Sequence, residues 1–334
     1  MKHTLLWILF LLLAGALIAS CASNPYAATN RSYKKQAKAY ARSLRTVPEA
    51  EPGEQTYQQG DYWVGTTNFN MRKPNYVVIH HTAQNSTGQT LKTFTMPKTQ
   101  VSAHYVIGRD GKVYHMLNDY LRAWHGGVGR WGNNTDLNSS SIGIELDNNG
   151  FEPFSDAQIN SLLNVLAMLK KNYGIPTANF IGHSDIAPIR KVDPNPTFPW
   201  KKLAESGYGL WYDEAILDST YTQSITLVSD SAIVLNIALV PDSTLLDSTL
   251  SLSTISAPDS LVILGNVISD SAQMQVRIPD PINPQDALRI IGYDTQDLSA
   301  AIKAFKLHFI QSDLSDTLTA TDKKVLYNLY KKYL

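Results

Sequence analysis

Between residues 62 and 210, short apolar runs of strand character are interleaved with a segment of helical period, and that alternation leaves few folds open to the chain. Tyr76-Val77-Val78-Ile79-His80 reads as a buried strand. His104-Tyr105-Val106-Ile107, then Gly108-Arg109-Asp110-Gly111, then Val113-Tyr114 reads as a hairpin. Ser141-Ile142-Gly143-Ile144-Glu145-Leu146 is a third strand. Ser155 with Gln158 three residues on makes a capping box. Ile159, Leu162, Leu163, Leu166 and Leu169 then recur at helical spacing until Gly174 ends the helix. The expectation is an α/β domain, a central sheet flanked by helices.

The remaining chain falls into four pieces. Lys2 and His3 precede an apolar run from Leu5 to Ala19, shorter than the roughly 20 residues that span a bilayer, so residues 1–21 read as an export signal. The run ends in Ile18-Ala19-Ser20-Cys21, which resembles the bacterial lipobox and implies lipidation of Cys21 and attachment to a membrane. Cys21 is the only cysteine, so no intramolecular disulfide is available. Ala22 stands where Asp would retain a Gram-negative lipoprotein in the inner membrane, which points to an outer-membrane lipoprotein facing the periplasm. Residues 22–61 are polar, with a basic cluster at Arg31, Lys34, Lys35, Lys38, Arg42 and Arg45, and read as a tether: a solvated linker or short surface helix in preference to a segment that touches anionic lipid headgroups. No Lys or Arg occurs between Lys202 and Arg277, and Asp-Ser pairs punctuate alternating runs there. Residues 211–281 are therefore either a small β-rich insertion or a low-complexity spacer. Residues 282–334 end the chain in three helices, the first capped by Asn283-Pro284 and closed by Gly292. Lys plus Arg and Asp plus Glu both count 29, a zero net charge that gives no electrostatic reason to expect a nucleic-acid partner, and the chain is expected to be a monomer.

Six of the eight histidines lie between positions 80 and 183. One strand-borne histidine is more often a hydrogen-bonded core residue than a ligand, so their joint pattern carries the argument. That pattern is His80-His81-Thr82-Ala83 at a strand end, Ser141 to Glu145 in another strand, and Gly182-His183-Ser184-Asp185 followed by Arg190-Lys191-Val192-Asp193-Pro194. In these motifs and their order, residues 75–200 resemble the type 2 N-acetylmuramoyl-L-alanine amidase family, which includes peptidoglycan recognition proteins and phage amidases. The lipobox before and the helix triplet after resemble its outer-membrane lipoprotein members, which carry a C-terminal peptidoglycan-binding helical module.

The resemblance implies the amidase fold and zinc-dependent hydrolysis of the amide between N-acetylmuramic acid and L-alanine, in peptidoglycan or muropeptides, during cell-wall turnover or recycling. It makes His80, His183 and Asp193 the zinc ligands, with the fourth position open. Glu145 becomes the general base and Lys191 the stabiliser of the oxyanion. Trp124, His125, Gly127, Arg130 and Asn138 are expected to bind substrate, with Asn138 and Ser141 also ordering their loop. His81 and His104 are expected behind the ligands or in the core. Two departures stand out: Ala103 replaces the tyrosine of phage relatives, and Asn195 replaces a glycine, where asparagine would serve as the next best residue at positive φ. The alternative reading is a peptidoglycan-recognition or wall-tethering lipoprotein without catalysis. Ala287-Leu288, Gly292-Tyr293 and Ala301 to Phe305 resemble peptidoglycan-binding modules, so removing residues 284–334 is expected to weaken sacculus binding and spare the cleavage of small muropeptides.

Overall fold

The computed structural model describes residues 24–45, 66, 68, 70–218 and 283–334, and four short strands between the last two segments. Cys21 and the apolar run before it lie outside the described residues. The chain divides into two units, residues 1–70 and 71–334. The first contributes one described helix, α1 (Ala27–Ser43), in which no residue is buried. No helix among the described residues is long and apolar enough to cross a membrane.

The second unit is built on β1 (Tyr76–His81), α2 (Thr87–Thr95), β2 (Tyr105–Ile107), β3 (Val113–His115), α3 (Leu137–Ser140), β4 (Ser141–Leu146), α4 (Asp156–Tyr173), β5 (Phe180–Gly182), α5 (His183–Ile186) and α6 (Trp200–Glu205). The five strands form one sheet in the order β3-β2-β4-β1-β5. Its inner strands are parallel, and only β3 runs antiparallel, paired to β2 in the expected hairpin.

Period-two alternation divides the work of each strand. Val77, Ile79, Ile142, Ile144 and Phe180 turn to one face and pack against Ile159, Leu162, Leu166 and Leu169 of α4. Val78 and Ile181 turn to the other face, where they share a core with Ile186 and Ala187. That second face also receives His80, Gly143 and Glu145, each one or two pleats along.

Helix α4 begins where Ser155 Oγ accepts the Gln158 N–H, and it ends at Gly174 with φ +62°. Only half of the expected capping box forms. The Gln158 amide instead donates to the carbonyls of Ile107 and Asp147, at 2.9 and 3.1 Å, and so ties the helix to the sheet.

The packed chain runs past the expected boundary at 211. A turn of 3-10 helix at Glu214–Leu217 buries Ile216, and Asp213 bonds Asn328 and Lys332. Within the segment read as an insertion, β6 (Ser224–Val228) pairs antiparallel with β7 (Val234–Ala238), and β8 (Ile255–Ala257) with β9 (Ser260–Val262).

The C-terminal helices are α7 (Pro284–Ile291), α8 (Leu298–Phe309) and α9 (Ala320–Tyr330), capped by Asn283, Asp297 and Thr319. They do not stand apart. Leu288, Ile291, Phe305 and Leu326 belong to the same core as Val78, Ile181 and Ile186, so the sheet is covered by α4 on one face and partly by this module on the other.

Candidate metal and catalytic site

Three adjacent parallel strands, β4, β1 and β5, deliver the polar groups at their carboxyl ends, the side of a parallel sheet where ligands gather in α/β folds. His80 is the fifth residue of β1, Glu145 lies beside it in register on β4, and His183 opens α5 just beyond β5. Asp193 comes from the loop after α5, its backbone carbonyl accepting the Ser184 N–H at 2.8 Å.

His80 Nδ1 and His183 Nδ1 lie 2.8 Å apart, and Asp193 Oδ2 lies 3.2 and 3.0 Å from them. Hydrogen bonds behind each ring decide what those nitrogens carry. The Leu137 carbonyl can only accept, so Ser141 Oγ spends its proton there. Ser141 Oγ must then accept from His125 Nε2, at 3.2 Å. His125 Nδ1 is left to accept from His80 Nε2, at 3.1 Å. His80 Nδ1 therefore presents a lone pair to the cluster. His183 Nε2 donates to the Gly126 carbonyl at 3.2 Å, which leaves its Nδ1 a lone pair too.

Two lone pairs and a carboxylate converging in a buried site call for a cation. The three separations approach the edge of about 3.3 Å expected of a tetrahedron with metal–ligand bonds near 2.0 Å. The donor set thus fits a metal ion, and it is the only such group of His, Cys, Asp and Glu among the described residues.

The protonation states agree. Burial, then the neighbouring His183, holds His80 down to about 4, so the ring is neutral near pH 7. Burial also pushes His125 well below its ordinary value. Burial alone would raise Asp193, but the imidazoles of His183 and His80 beside it outweigh that and keep the carboxyl ionised. Glu145 goes the other way: burial, reinforced by Asp193 and opposed by Lys191, raises it to about 8. Its Oε2 is buried without a hydrogen-bond partner, a carboxyl oxygen free to exchange a proton with a bound molecule. Lys191 is half-buried on the loop that supplies Asp193, close enough for its charge to act on Glu145 and His80.

Of the five residues expected to bind substrate, two face inward. His125 is buried and backs His80, because Gly143 leaves room for its ring: a Cβ there would lie 2.3 Å from the imidazole Cγ. Asn138 is buried, and its Oδ1 accepts the N–H groups of His125 and Gly126 at 3.0 and 2.7 Å. It orders the loop and is withdrawn from substrate. Gly127 sits at φ +56° with the Arg190 guanidinium against its Cα, a packing reason for glycine. Arg130 folds its Nε back on the Gly132 carbonyl at 2.8 Å. Trp124, which precedes the buried His125, is 52% exposed.

Asn195 does not occupy positive φ. Its backbone N–H donates to His81 Nδ1 at 3.0 Å and its side chain to Asn148 Oδ1 at 3.1 Å, so asparagine serves here as a buried hydrogen-bonding residue. His104 accepts the Gly143 N–H and donates to the Leu121 carbonyl, holding β2 against β4.

Two residues escaped the sequence reading. Arg190 gathers the Gly126 and Val128 carbonyls and so clamps the Trp124 loop against α5. Asp185 is fully buried and accepts from Gly182 N at 2.7 Å, Tyr293 Oη at 2.8 Å and His308 Nδ1 at 2.8 Å. Its place in Gly182-His183-Ser184-Asp185 was visible, but its partners more than a hundred residues away were not.

A family model described as N-acetylmuramoyl-L-alanine amidase, Amidase_2, matches residues 70–196. That segment belongs to the type 2 amidases. The amidase domain is 39% identical over 153 residues to N-acetylmuramoyl-L-alanine amidase AmiD of Escherichia coli, covering 41% of this chain and 54% of that protein. It is 39% identical over 108 residues to the 1,6-anhydro-N-acetylmuramyl-L-alanine amidase AmpD of Haemophilus influenzae, covering 32% and 59%. The chain thus spans little more than half the length of the curated relatives it matches. Among solved structures, AmiD from E. coli bound to anhydro-N-acetylmuramic acid-L-Ala-D-gamma-Glu-L-Lys matches with a TM-score of 0.56 at 24% identity, over 84% of this chain and 97% of that one. AMPDH3 from Pseudomonas aeruginosa matches with a TM-score of 0.57 at 24% identity, over 84% and 99%. The type 2 amidase fold, with its mixed five-stranded sheet, is common to them.

Proposed function

We propose that the chain hydrolyses the amide between N-acetylmuramic acid and the first L-alanine of the stem peptide, in peptidoglycan or muropeptides, as a zinc enzyme of cell-wall turnover. The observation that carries this is the convergence of His80, His183 and Asp193 beside the unpartnered carboxyl of Glu145, within a type 2 amidase domain. Two imidazoles and one carboxylate are the donor set of a catalytic zinc, and the ion held there would supply Lewis acidity toward a carbonyl and acidify water. Glu145 takes a proton from the attacking water and returns it to the alanine nitrogen as the C–N bond breaks. A carboxyl raised to about 8 suits both transfers near neutrality. Lys191 faces the developing negative charge on the carbonyl oxygen. Trp124 offers a face to the sugar.

The test is turnover of purified muropeptides by the chain from Ala22 onward, with mass spectrometry of products and metal analysis. Free stem peptide beginning with L-alanine should be released, and release should stop after chelation and in Glu145→Ala. A zinc-loaded protein that binds muropeptides and never cuts them would leave the recognition reading instead.

The lipobox-like Ile18-Ala19-Ser20-Cys21 supports attachment through a lipid on Cys21 to the periplasmic side of the outer membrane. Fractionation of cells carrying Cys21→Ser decides this: an unchanged distribution would refute it.

A further inference from the structure

Helix α1 lies outside the catalytic unit, and its two faces differ in chemistry. From Asn24 to Arg45 the chain has six cations, Arg31, Lys34, Lys35, Lys38, Arg42 and Arg45, and no Asp or Glu. At 3.6 residues per turn the five within Ala27–Ser43 project within an arc of roughly 100°, and Arg45 follows in the turn that ends the helix. Tyr26, Tyr33, Tyr40 and Leu44 recur at intervals of seven, seven and four and fall on a second line along the helix. All six cations are exposed, as are Tyr33, Tyr40 and Leu44.

A solvated spacer needs neither the sorting of every cation to one side nor an aromatic line on another. A helix lying in a membrane interface needs both: cations that meet anionic headgroups and amphipathic aromatic side chains at the boundary of the acyl region. We propose that α1 is a membrane-surface helix that lies on a bilayer bearing anionic headgroups. Position along the chain agrees. Ala27 follows Cys21 by six residues, within about 20 Å of extended chain. A basic segment so close to Cys21 adds its own attraction for an anionic surface, because each Lys or Arg held there strengthens binding roughly fivefold. The inference depends neither on cleavage nor on lipidation, since α1 carries its own charge and its own apolar line.

The experiment is co-sedimentation of the zinc-loaded chain from Ala22 onward, which removes no described residue, with vesicles of equal parts phosphatidylglycerol and phosphatidylcholine. The expected result is binding that disappears on phosphatidylcholine alone and weakens steeply with salt. A variant carrying glutamine at all six basic positions should lose more than a hundredfold in vesicle affinity while muropeptide turnover is unchanged. Tyr33→Ser with Tyr40→Ser should lose a smaller share that salt does not restore. Failure to bind the anionic vesicles, equal binding to both vesicle types, or undiminished binding by the glutamine variant would overturn the proposal. So would tighter, cation-dependent binding to isolated sacculi than to vesicles.

Discussion

Ser141 lies behind the metal site, yet its single proton dictates that the His80 nitrogen facing Asp193 carries a lone pair. Ser141→Ala frees His125 to turn or change tautomer, and the expected outcome is a loss of roughly 10- to 100-fold in metal affinity, read by competition with a chromophoric chelator. Glu145→Gln should leave metal content intact and reduce turnover about 10²- to 10⁴-fold, the usual worth of a positioned acid–base group, measured on purified muropeptides. The same variant tests the buried carboxyl. In the unfolded chain Glu145 ionises near its ordinary 4.5, whereas in the metal-free fold it holds its proton to about 8. Below pH 4.5 both states are protonated and no difference exists. As pH rises through that window the unfolded state gains stability by ionising first, and the fold has lost the whole contribution above 8. Melting curves of the two metal-free proteins should therefore coincide at low pH and separate between pH 5 and 8, with the glutamine variant melting higher. His80, Glu145 and His183 are legible in the sequence because each sits in a short motif at the end of an apolar run, whereas Asp193 is in the loop after α5 and is legible only through the resemblance of Arg190-Lys191-Val192-Asp193-Pro194 to a family motif. His125 and Asn138 are not legible in the same way. A histidine after tryptophan in a loop reads equally well facing in or out, and the side that wins is set by the missing side chain of Gly143.

Strand β4 shows how one element serves two purposes. Its second and fourth residues, Ile142 and Ile144, hold α4, and its third and fifth, Gly143 and Glu145, build the site. Gly143→Ala places a methyl 2.3 Å from the His125 ring, so the ring must move and His80 loses its partner. The expected outcome is weaker metal binding with the far-ultraviolet circular dichroism unchanged; intact affinity would mean that the ring has other room. Apolar periodicity suffices for β1, β4 and α4, because burial on a sheet face imposes it. It does not reveal that Gln158 would leave its own cap for the carbonyls of Ile107 and Asp147, a choice made by the neighbouring strands. Helix α5 is too short to carry periodicity at all, and its order comes from Asp185 beneath it.

At the scale of the molecule, the helices α7 to α9 can be read individually from their caps, but their docking cannot, since nothing in an amphipathic pattern names the surface it will meet. The shared core changes the expected effect of removing residues 284–334. Val78, Ile181 and Ile186 would be uncovered, and Asp185 would lose Tyr293 and His308 as partners. Such a truncation should lower the melting temperature, and it should reduce turnover even on small muropeptides; cleavage at the full rate by a soluble truncated protein would contradict the shared core. Residues 219–282 connect Asp218 to Asn283. The chain on either side is already held, by Asp213 against Asn328 and Lys332 and by Tyr293 against Asp185. Each doubling of a connection's length costs only about 0.6 kcal/mol in closure. The register of the five-stranded sheet is thereby insulated from the length of chain held between those two anchors.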